Sequence, residues 1–432
     1  DWLYHHWSDD QRRLMRRAIV QLGLRPSLKA FETGVWWTKT KNNWAQVCNA
    51  GLMVAALAIG DEEPTISEQV LENGLGALPR AMARYAPDGG YEEGPAYWAY
   101  GTGYNTILLA AFESALGHDF RFGESKGFAL TGRFVPQLTG PSGKAFNFAD
   151  SRAATVQSPA LFYLANRYDD VVAARYAVKS NLGDAFDLLW YDPKLLKANT
   201  MSAPLHATYS RIGVVTMRTA WDDPNAAYLG IKGGKNGFSH GQLDLGSFIY
   251  EAKGQRWFID LGADHYNLPG YFSADENGAR WNYYRNRAEG HNTLVVNPAT
   301  GPDQPIDAEA PVKLDGSIAR VDLSEVNGPG NERFFEFESA TGAFTVTDRV
   351  NTIGQAEAWW FAHTRASIQL SGDGRTARLS QNGEELLVRL VEPTTTRLEV
   401  LDAEPLDGSP SPVGQNPNNG AKLLNGVLGN SK

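Results

Sequence analysis

Cysteine is all but missing from this chain: its 432 residues hold one, Cys48. A single thiol excludes an internal disulfide and a cysteine-rich zinc site. It falls in an apolar helical run, where a thiol packs as a small hydrophobe. Long apolar runs are missing too. None approaches the ~18 residues that span a bilayer. "AGLMVAALAIG" is shorter and reads as a buried helix, so no membrane insertion is expected. Positive charge is in deficit: 40 Lys and Arg stand against 49 Asp and Glu, a net charge of −9. Such a field does not favour a polyanion and argues against nucleic acid as the main ligand. It leaves room for an acidic sugar polymer, which a local cluster of Arg, Asn and His can bind. Disorder-prone composition is confined to the tail from Gln415, with its Asn, Gly and Ser. The chain opens at Asp1, inside a helical pattern and without a basic-then-apolar leader. We therefore expect the natural protein to extend further, with any export signal in that part.

Aromatic residues are plentiful: 12 Trp, 17 Tyr and 19 Phe. A surplus beyond the core suits sugars, whose apolar ring faces stack on aromatic planes while their hydroxyls take hydrogen bonds.

A chain of this length exceeds one ordinary domain. Up to residue 200 the apolar period is helical. Ser8 is placed to cap "DDQRRLMRRAIVQLGL", with acids in its first turn. Pro26 sits at a first-turn position and Gly34 at a stop. "NNWAQVCNAGLMVAALAIGDEEP", "TISEQVLENGLGALPRAMARYAPDGG" and "GPAYWAYGTGYNTILLAAFESALGHDF" follow, with Pro79 as a break or kink. Shorter helices are expected near 158–167, 169–180 and 183–190. From about residue 205 the period is two. "ATYSRIGVVTMRTAW", "AAYLGIKGG", "GSFIYEAKGQRWFIDLG", "HNTLVVN", "SIARVDLSEV", "RFFEFESATGAFTVTDRV", "AEAWWFAHT", "ARLSQNGEELLVRLVE" and "RLEVLD" read as strands. "AKGQ", "ATGA" and "QNGE" are hairpin turns. The fold class is α+β: helices over 1–200, then an antiparallel β-sandwich over 201–432.

Four clusters carry candidate chemistry. In "TKTKNNWAQVC", Asn42 and Asn43 stand at a helix start, where amides and backbone N–H groups can bind an anion; Asn also caps helices for purely structural reasons. In "DGGYEEGPAYWAYGTGY", Tyr97, Tyr100 and Tyr104 share one helical face, with Trp98 beside them. That face is either an aromatic core stripe or a sugar-facing wall with one phenol as acid or base. In "FNFADSRAA", Asp150 and Arg152 lie in a loop, as an ion pair or as site groups. The fourth cluster joins "SHGQLDLGSF" to "FIDLGADHYN" and "RWNYYRNRAEGHNTL". His240, Gln242, Asp260 and His291 fall at strand ends and loops, where two His and an Asp could hold a metal. Arg285 and Arg287 sit among tyrosines and could hold carboxylate or sulfate groups.

Taken together, "NNW", "GGYEEGPAYWAYGTGY", "SHGQLDLGSF" with "WFIDLG", and "YYRNRAEGHNTLVVN" make the chain resemble the heparinase II/III-like polysaccharide lyases over roughly residues 1–400. That resemblance implies an incomplete (α/α) toroid over 1–200 as catalytic domain, lacking its N-terminal part, joined to the sandwich. It implies Asn43 as the group that neutralises a uronate carboxylate, Tyr97 as catalytic acid and base, Tyr104 as a second active-site tyrosine, and His240 as the histidine supplied by the sandwich. It implies substrate contacts from Asn42, Trp44, Glu93, Trp98, Arg152, Tyr284, Arg285 and Arg287. Gln242, Asp260 and His291 match positions that hold a structural divalent metal, zinc or calcium, in several members. Zinc-binding members read H-x-H where this chain has Gln242, and some carry His near Asn43. The heparinase III branch is closest in both respects, so heparan sulfate or heparin-type chains are the leading expectation. Alginate-cleaving relatives share the scaffold.

The implied reaction is β-elimination at a uronic acid, with no organic cofactor. A periplasmic or secreted location comes with the resemblance, and nothing in the sequence specifies an oligomeric state. Two other readings are a glycoside hydrolase, which would need paired carboxylates such as Glu92, Glu93 or Asp150, and a non-catalytic glycan-binding protein.

Overall fold

The computed structural model describes residues 4–180, 183–197, 203–297, 303–351 and 357–429. The chain divides into two compact units. One is Asp1–Tyr91, Tyr97–Phe134 and Gln157–Thr200; the other is Glu92–Ala96, Val135–Val156 and Met201–Lys432. The expected cut after residue 200 falls at 198–202, outside the described residues.

The first unit is helical, and its local signals act as expected. Ser8 caps Asp9–Ala18 through a reciprocal box: its Oγ accepts the Gln11 N–H at 3.3 Å, and its own N–H reaches Gln11 Oε1 at 2.8 Å. A wider turn over Ile19–Leu24 leads into Arg25–Thr33, which has Pro26 in its first turn and ends at Gly34 with φ 68°. Asn42 caps Asn43–Ala58 by accepting the Trp44 N–H. Pro64–Ala77 stops before Pro79, which opens the short helix Pro79–Met82. Gly94–Leu116 carries the tyrosine face. Ala160–Tyr168, Val171–Ser180 and Ala185–Trp190 complete the set. Val20, Leu24, Ala56, Ile59 and Val70 form a buried core between the early helices.

The second unit is built of antiparallel sheets. Five strands run in the order His206–Tyr209, Val214–Arg218, Tyr228–Lys232, Phe248–Ala252, Gln255–Phe258. Four more run Phe344–Arg349, Glu332–Phe337, Ile318–Asp322, Val312–Asp315. Inward side chains of the two sheets share one core: Met217, Leu229, Ile231, Phe248 and Trp257 with Ala319, Val321, Phe335 and Phe337. Each large side chain buried there contributes ~1.5–3 kcal/mol relative to exposure. A further sheet runs Leu398–Asp402, Lys422–Gly429, Glu357–Thr364, Leu294–Val296. Among the described residues the tail beyond Gln415 thus ends in a strand. Lys422–Gly429 pairs on both sides, and that pairing offsets the cost of its Asn and Gly.

Candidate active site

In the helical unit, Asn43 begins its helix and packs against Gly101 of Gly94–Leu116. A Cβ at Gly101 would stand 3.3 Å from Asn43 Cβ, 2.5 Å from Gln46 Oε1 and 2.6 Å from Tyr91 OH, so only glycine permits this approach. Asn43 is fully buried there. Asn42 is the helix cap, the structural alternative for that residue. Trp44 is not packed beneath it: the indole is 40% exposed and meets Trp36 edge-on at 6.0 Å.

The tyrosine face is not a core stripe. Tyr97 is half-buried, and Tyr100 and Tyr104 are exposed and touch edge-on at 5.4 Å. Burial raises the Tyr100 pKa, and the neighbouring Tyr104 and Cys48 add to the rise. Trp98 corrects the expectation of a substrate contact. It is fully buried, and its Nε1–H donates to Thr131 Oγ1 at 2.8 Å. It points away from the face that its sequence neighbours share.

In the second unit, "SHGQLDLGSF" is a run of turns that leads into the strand Phe248–Ala252. His240 has φ 59°, a left-handed conformation that costs a non-glycine residue ~1–3 kcal/mol unless its surroundings impose it. Arg280 imposes it. Its buried guanidinium donates to the carbonyls of His240 at 3.2 Å and of Gly241 at 2.8 Å. The same group reaches Asp150 Oδ1 at 2.9 Å. That oxygen also accepts from Gln242 Nε2 and from Tyr271 OH, both at 3.0 Å. The other oxygen, Oδ2, meets His240 Nδ1 at 3.1 Å. Asp150 therefore pairs with His240 and Arg280, not with Arg152, which is exposed. Burial alone would raise the Asp150 pKa, but the His240 hydrogen bond and the Arg280 charge together hold it below the ordinary carboxylate value. The imidazole lies over Tyr266 at 6.2 Å, nearly parallel, with Phe272 at its edge.

Two of the expected metal ligands bond to each other. Asp260 Oδ2 meets His291 Nδ1 at 3.0 Å, and Asp260 Oδ1 accepts the Gly262 N–H at 2.7 Å. Gln242 turns its amide nitrogen to Asp150. Among the described residues, no three His, Cys, Asp or Glu side chains converge as a cage. His291 Nε2 and Gln242 Oε1 are nevertheless buried without a hydrogen-bond partner. These are the two atoms a metal would satisfy, with Asp260 orienting the imidazole from behind.

Three further expectations are corrected by burial. Arg287 is fully enclosed, and its Nη2 donates to Asp303 Oδ1 at 2.7 Å. Tyr284 is buried with its OH 2.8 Å from His363 Nε2. Glu93 is fully buried. Arg285 is half-buried and bonded to Asn418 and the Ala263 carbonyl. Residues that the sequence did not single out are Arg280, Tyr271, Tyr266 and Phe272. "ADHYNLPGYF" and "GARWN" carry their aromatic and cationic signal but no spacing that links them to His240.

A helical incomplete toroid and an antiparallel sandwich define a mixed α+β class. Residues 204–400 match the family described as heparinase II/III-like, C-terminal. A crystal structure of heparinase III superimposes with a TM-score of 0.66 at 14% identity, over 88% of this chain and 59% of that one. Heparan sulfate lyase HepC from Pedobacter heparinus gives 0.59 at 16% identity, over 89% and 57%. A heparinase III gene product gives 0.64 at 15%, over 89% and 57%. At these identities the likeness is one of fold, and the chain spans less than two thirds of each neighbour's length. No curated protein matches the sequence. No helix among the described residues is long and apolar enough to cross a membrane.

Proposed function

We propose that this chain is a polysaccharide lyase that cleaves a uronic-acid-containing polysaccharide by β-elimination, with a heparan sulfate-type chain as the leading substrate and alginate or another polyuronate as the alternative. The observation that carries the reading is His240, held in a strained turn by Arg280 with its imidazole Nδ1 on the buried, ionised Asp150. With Asp150 as carboxylate, Nδ1 presents its hydrogen to Oδ2, and Nε2 is the nitrogen directed to chemistry.

The reaction removes the C5 proton of the uronate, forms the C4–C5 double bond and expels the 4-linked oxygen. The C5 proton is weakly acidic until the adjacent carboxylate is neutralised. Asn43 and His240 are assigned hydrogen bonds to that carboxylate, which stabilise the enolate-like intermediate. For Asn43 this requires its buried amide to be uncovered. His240 Nε2 or the Tyr97 phenolate takes the C5 proton, and the Tyr97 hydroxyl protonates the departing oxygen. Tyr104 and Trp44 supply aromatic surface for the sugar.

The ionisation of Asp150 speaks against a hydrolase. That mechanism needs a carboxylic acid kept protonated, whereas Asp150 is held ionised, Glu92 is ion-paired with Arg211 and Glu93 has no exposed surface. The proposal includes one structural divalent ion, zinc or calcium, taken by His291 Nε2 and Gln242 Oε1; no step runs through it. A periplasmic or secreted location goes with an extracellular polymer as substrate.

The test is ultraviolet absorbance of the conjugated unsaturated uronate on heparan sulfate, heparin, chondroitin sulfate, hyaluronan and alginate. A rise on one polymer identifies the substrate. New reducing ends without absorbance would replace the lyase by a hydrolase, and neither signal would leave a glycan-binding protein.

A further inference from the structure

The second unit carries a half-open cavity of about 420 Å³ whose lining includes none of His240, Asp150 or Arg280. Its size lies within the range of small-ligand sites, roughly 300–1,000 Å³. Its lining includes Gly254, from the turn after Phe248–Ala252, and Asn382, from the turn after Thr376–Gln381. A Lys253–Glu384 ion pair at 3.1 Å ties those two turns together.

The charges around the cavity do not cancel. The wall carboxylate, Asp260, is already occupied by the Gly262 N–H and by His291. Arg256 is committed to Glu251 at 2.6 Å and to the Lys144 and Ala145 carbonyls. Lys144 and Arg365 have no carboxylate partner among the described residues, and both are exposed. Arg365 gives one hydrogen bond, to the Asn419 carbonyl at 3.0 Å. Burial lowers the pKa of the nearby Arg285; Asp264 and Asp260 oppose the fall, and the Arg365 charge adds to it. Two guanidiniums that repel in a net-negative protein gain from a bound anion.

We propose that this cavity is an accessory site for an anionic saccharide. Lys144 and Arg365 take a carboxylate or sulfate, and the amide oxygens of Gln381 and Asn382, whose nitrogens donate to the Arg256 carbonyl and to Gln255 Oε1, accept from sugar hydroxyls. Lysine acts as a point charge, and arginine offers a planar fork that matches either oxyanion. The choice of an acidic sugar chain rests on the proposed lyase reading. The site itself does not involve the residues assigned to elimination, so it would hold a chain that is being cleaved elsewhere or anchor the protein to it.

The experiment is surface plasmon resonance of the full chain carrying Tyr97→Phe, over immobilised hyaluronan, alginate and heparan sulfate. The comparison is the same chain with Lys144→Glu and Arg365→Glu. The expected result is a loss of about tenfold or more in affinity for at least one polymer, since each hydrogen bond to a charged group is worth about that factor. A loss on hyaluronan identifies carboxylate as the ligand group; a loss on heparan sulfate alone identifies sulfate. Equal binding by both proteins, or no polymer bound by the parent, overturns the proposal. If charge reversal disturbs the circular dichroism spectrum, Lys144→Ala with Arg365→Ala gives the reading instead. Failure of the lyase reading shows separately, as absence of unsaturated product from the unsubstituted chain while Lys144- and Arg365-dependent binding persists.

Discussion

His240 Nδ1 stands 3.1 Å from Asp150 Oδ2, while the other oxygen of that carboxylate is held by Arg280. The pair fixes which imidazole nitrogen is available. Asp150→Asn keeps the size of the side chain but reverses the demand on Nδ1, because an amide can donate where the carboxylate only accepts. Turnover is expected to fall about 10²–10⁴-fold, as when an orienting aspartate is neutralised in a hydrolase triad. The check is the initial rate of ultraviolet product formation across pH. An unchanged pH profile with an unchanged rate would show that Asp150 has no part in positioning His240.

Arg280 has a different expected signature. Arg280→Met leaves Asp150 as a buried carboxylate without its cation and releases the strained His240 turn. Breaking such a buried pair costs roughly 3–5 kcal/mol. The unfolding midpoint in urea should drop by a matching amount, and the drop should be much smaller when Asp150→Asn is combined with it. A stability loss that simply adds in the double variant would separate the two residues.

Tyr97→Phe is expected to lower turnover by about 10²–10⁴-fold, the contribution of a positioned acid or base. The loss of one hydroxyl on a half-buried face should leave the melting temperature unchanged within error. Trp98→Ala is expected to do the reverse, since it empties a fully buried site at a cost of ~3–5 kcal/mol. Normal turnover by Tyr97→Phe would remove that residue from the mechanism.

The contrast between Tyr97 and Trp98 shows what the letters could convey. Local signals were legible because they act locally: Ser8 with Gln11 and Asn42 with Trp44 each mark a helix start within a few residues, and Pro26 and Gly34 mark the two ends of Arg25–Thr33 by their own backbones. Alternation found most strands for the same reason. The Asp150 carboxylate was visible only as a loop acid, because its partners lie 90 residues away at His240 and 130 away at Arg280. Arg287 and Tyr284 read as exposed binding groups because polarity usually means solvent. Here Asp303 and His363 satisfy them in the interior, and no spacing announces such pairs. Lys422–Gly429 read as tail because its strand character comes from two neighbours, not from its own composition.

Cys48 offers a prediction with a defined sign. Burial raises its thiol pKa above the ordinary value, so the neutral form dominates at pH 7. Alkylation by iodoacetamide should be slow at neutral pH and accelerate only as the pH passes above the usual thiol range. Rapid stoichiometric labelling at pH 7 would show a thiolate there, and would reopen Cys48 as a reactive group beside Tyr100.

The final expectation concerns the proposed metal. His291 Nε2 and Gln242 Oε1 are each buried without a partner, and an unsatisfied buried polar atom costs about 1–3 kcal/mol. An ion that satisfies both would recover that cost and add its own binding energy to folding. Elemental analysis of the purified protein should find zinc or calcium, and a chelator should lower the melting temperature. His291→Ala should melt at that lower temperature with or without chelator, since Gln242 alone cannot retain the ion. Turnover, measured at a temperature where both forms are folded, should change little, because Asp260 and His291 make no contact with substrate in the proposed reaction. A protein free of both metals that melts identically with chelator would leave the two orphaned atoms as an uncompensated cost, and the ion would be withdrawn from the site.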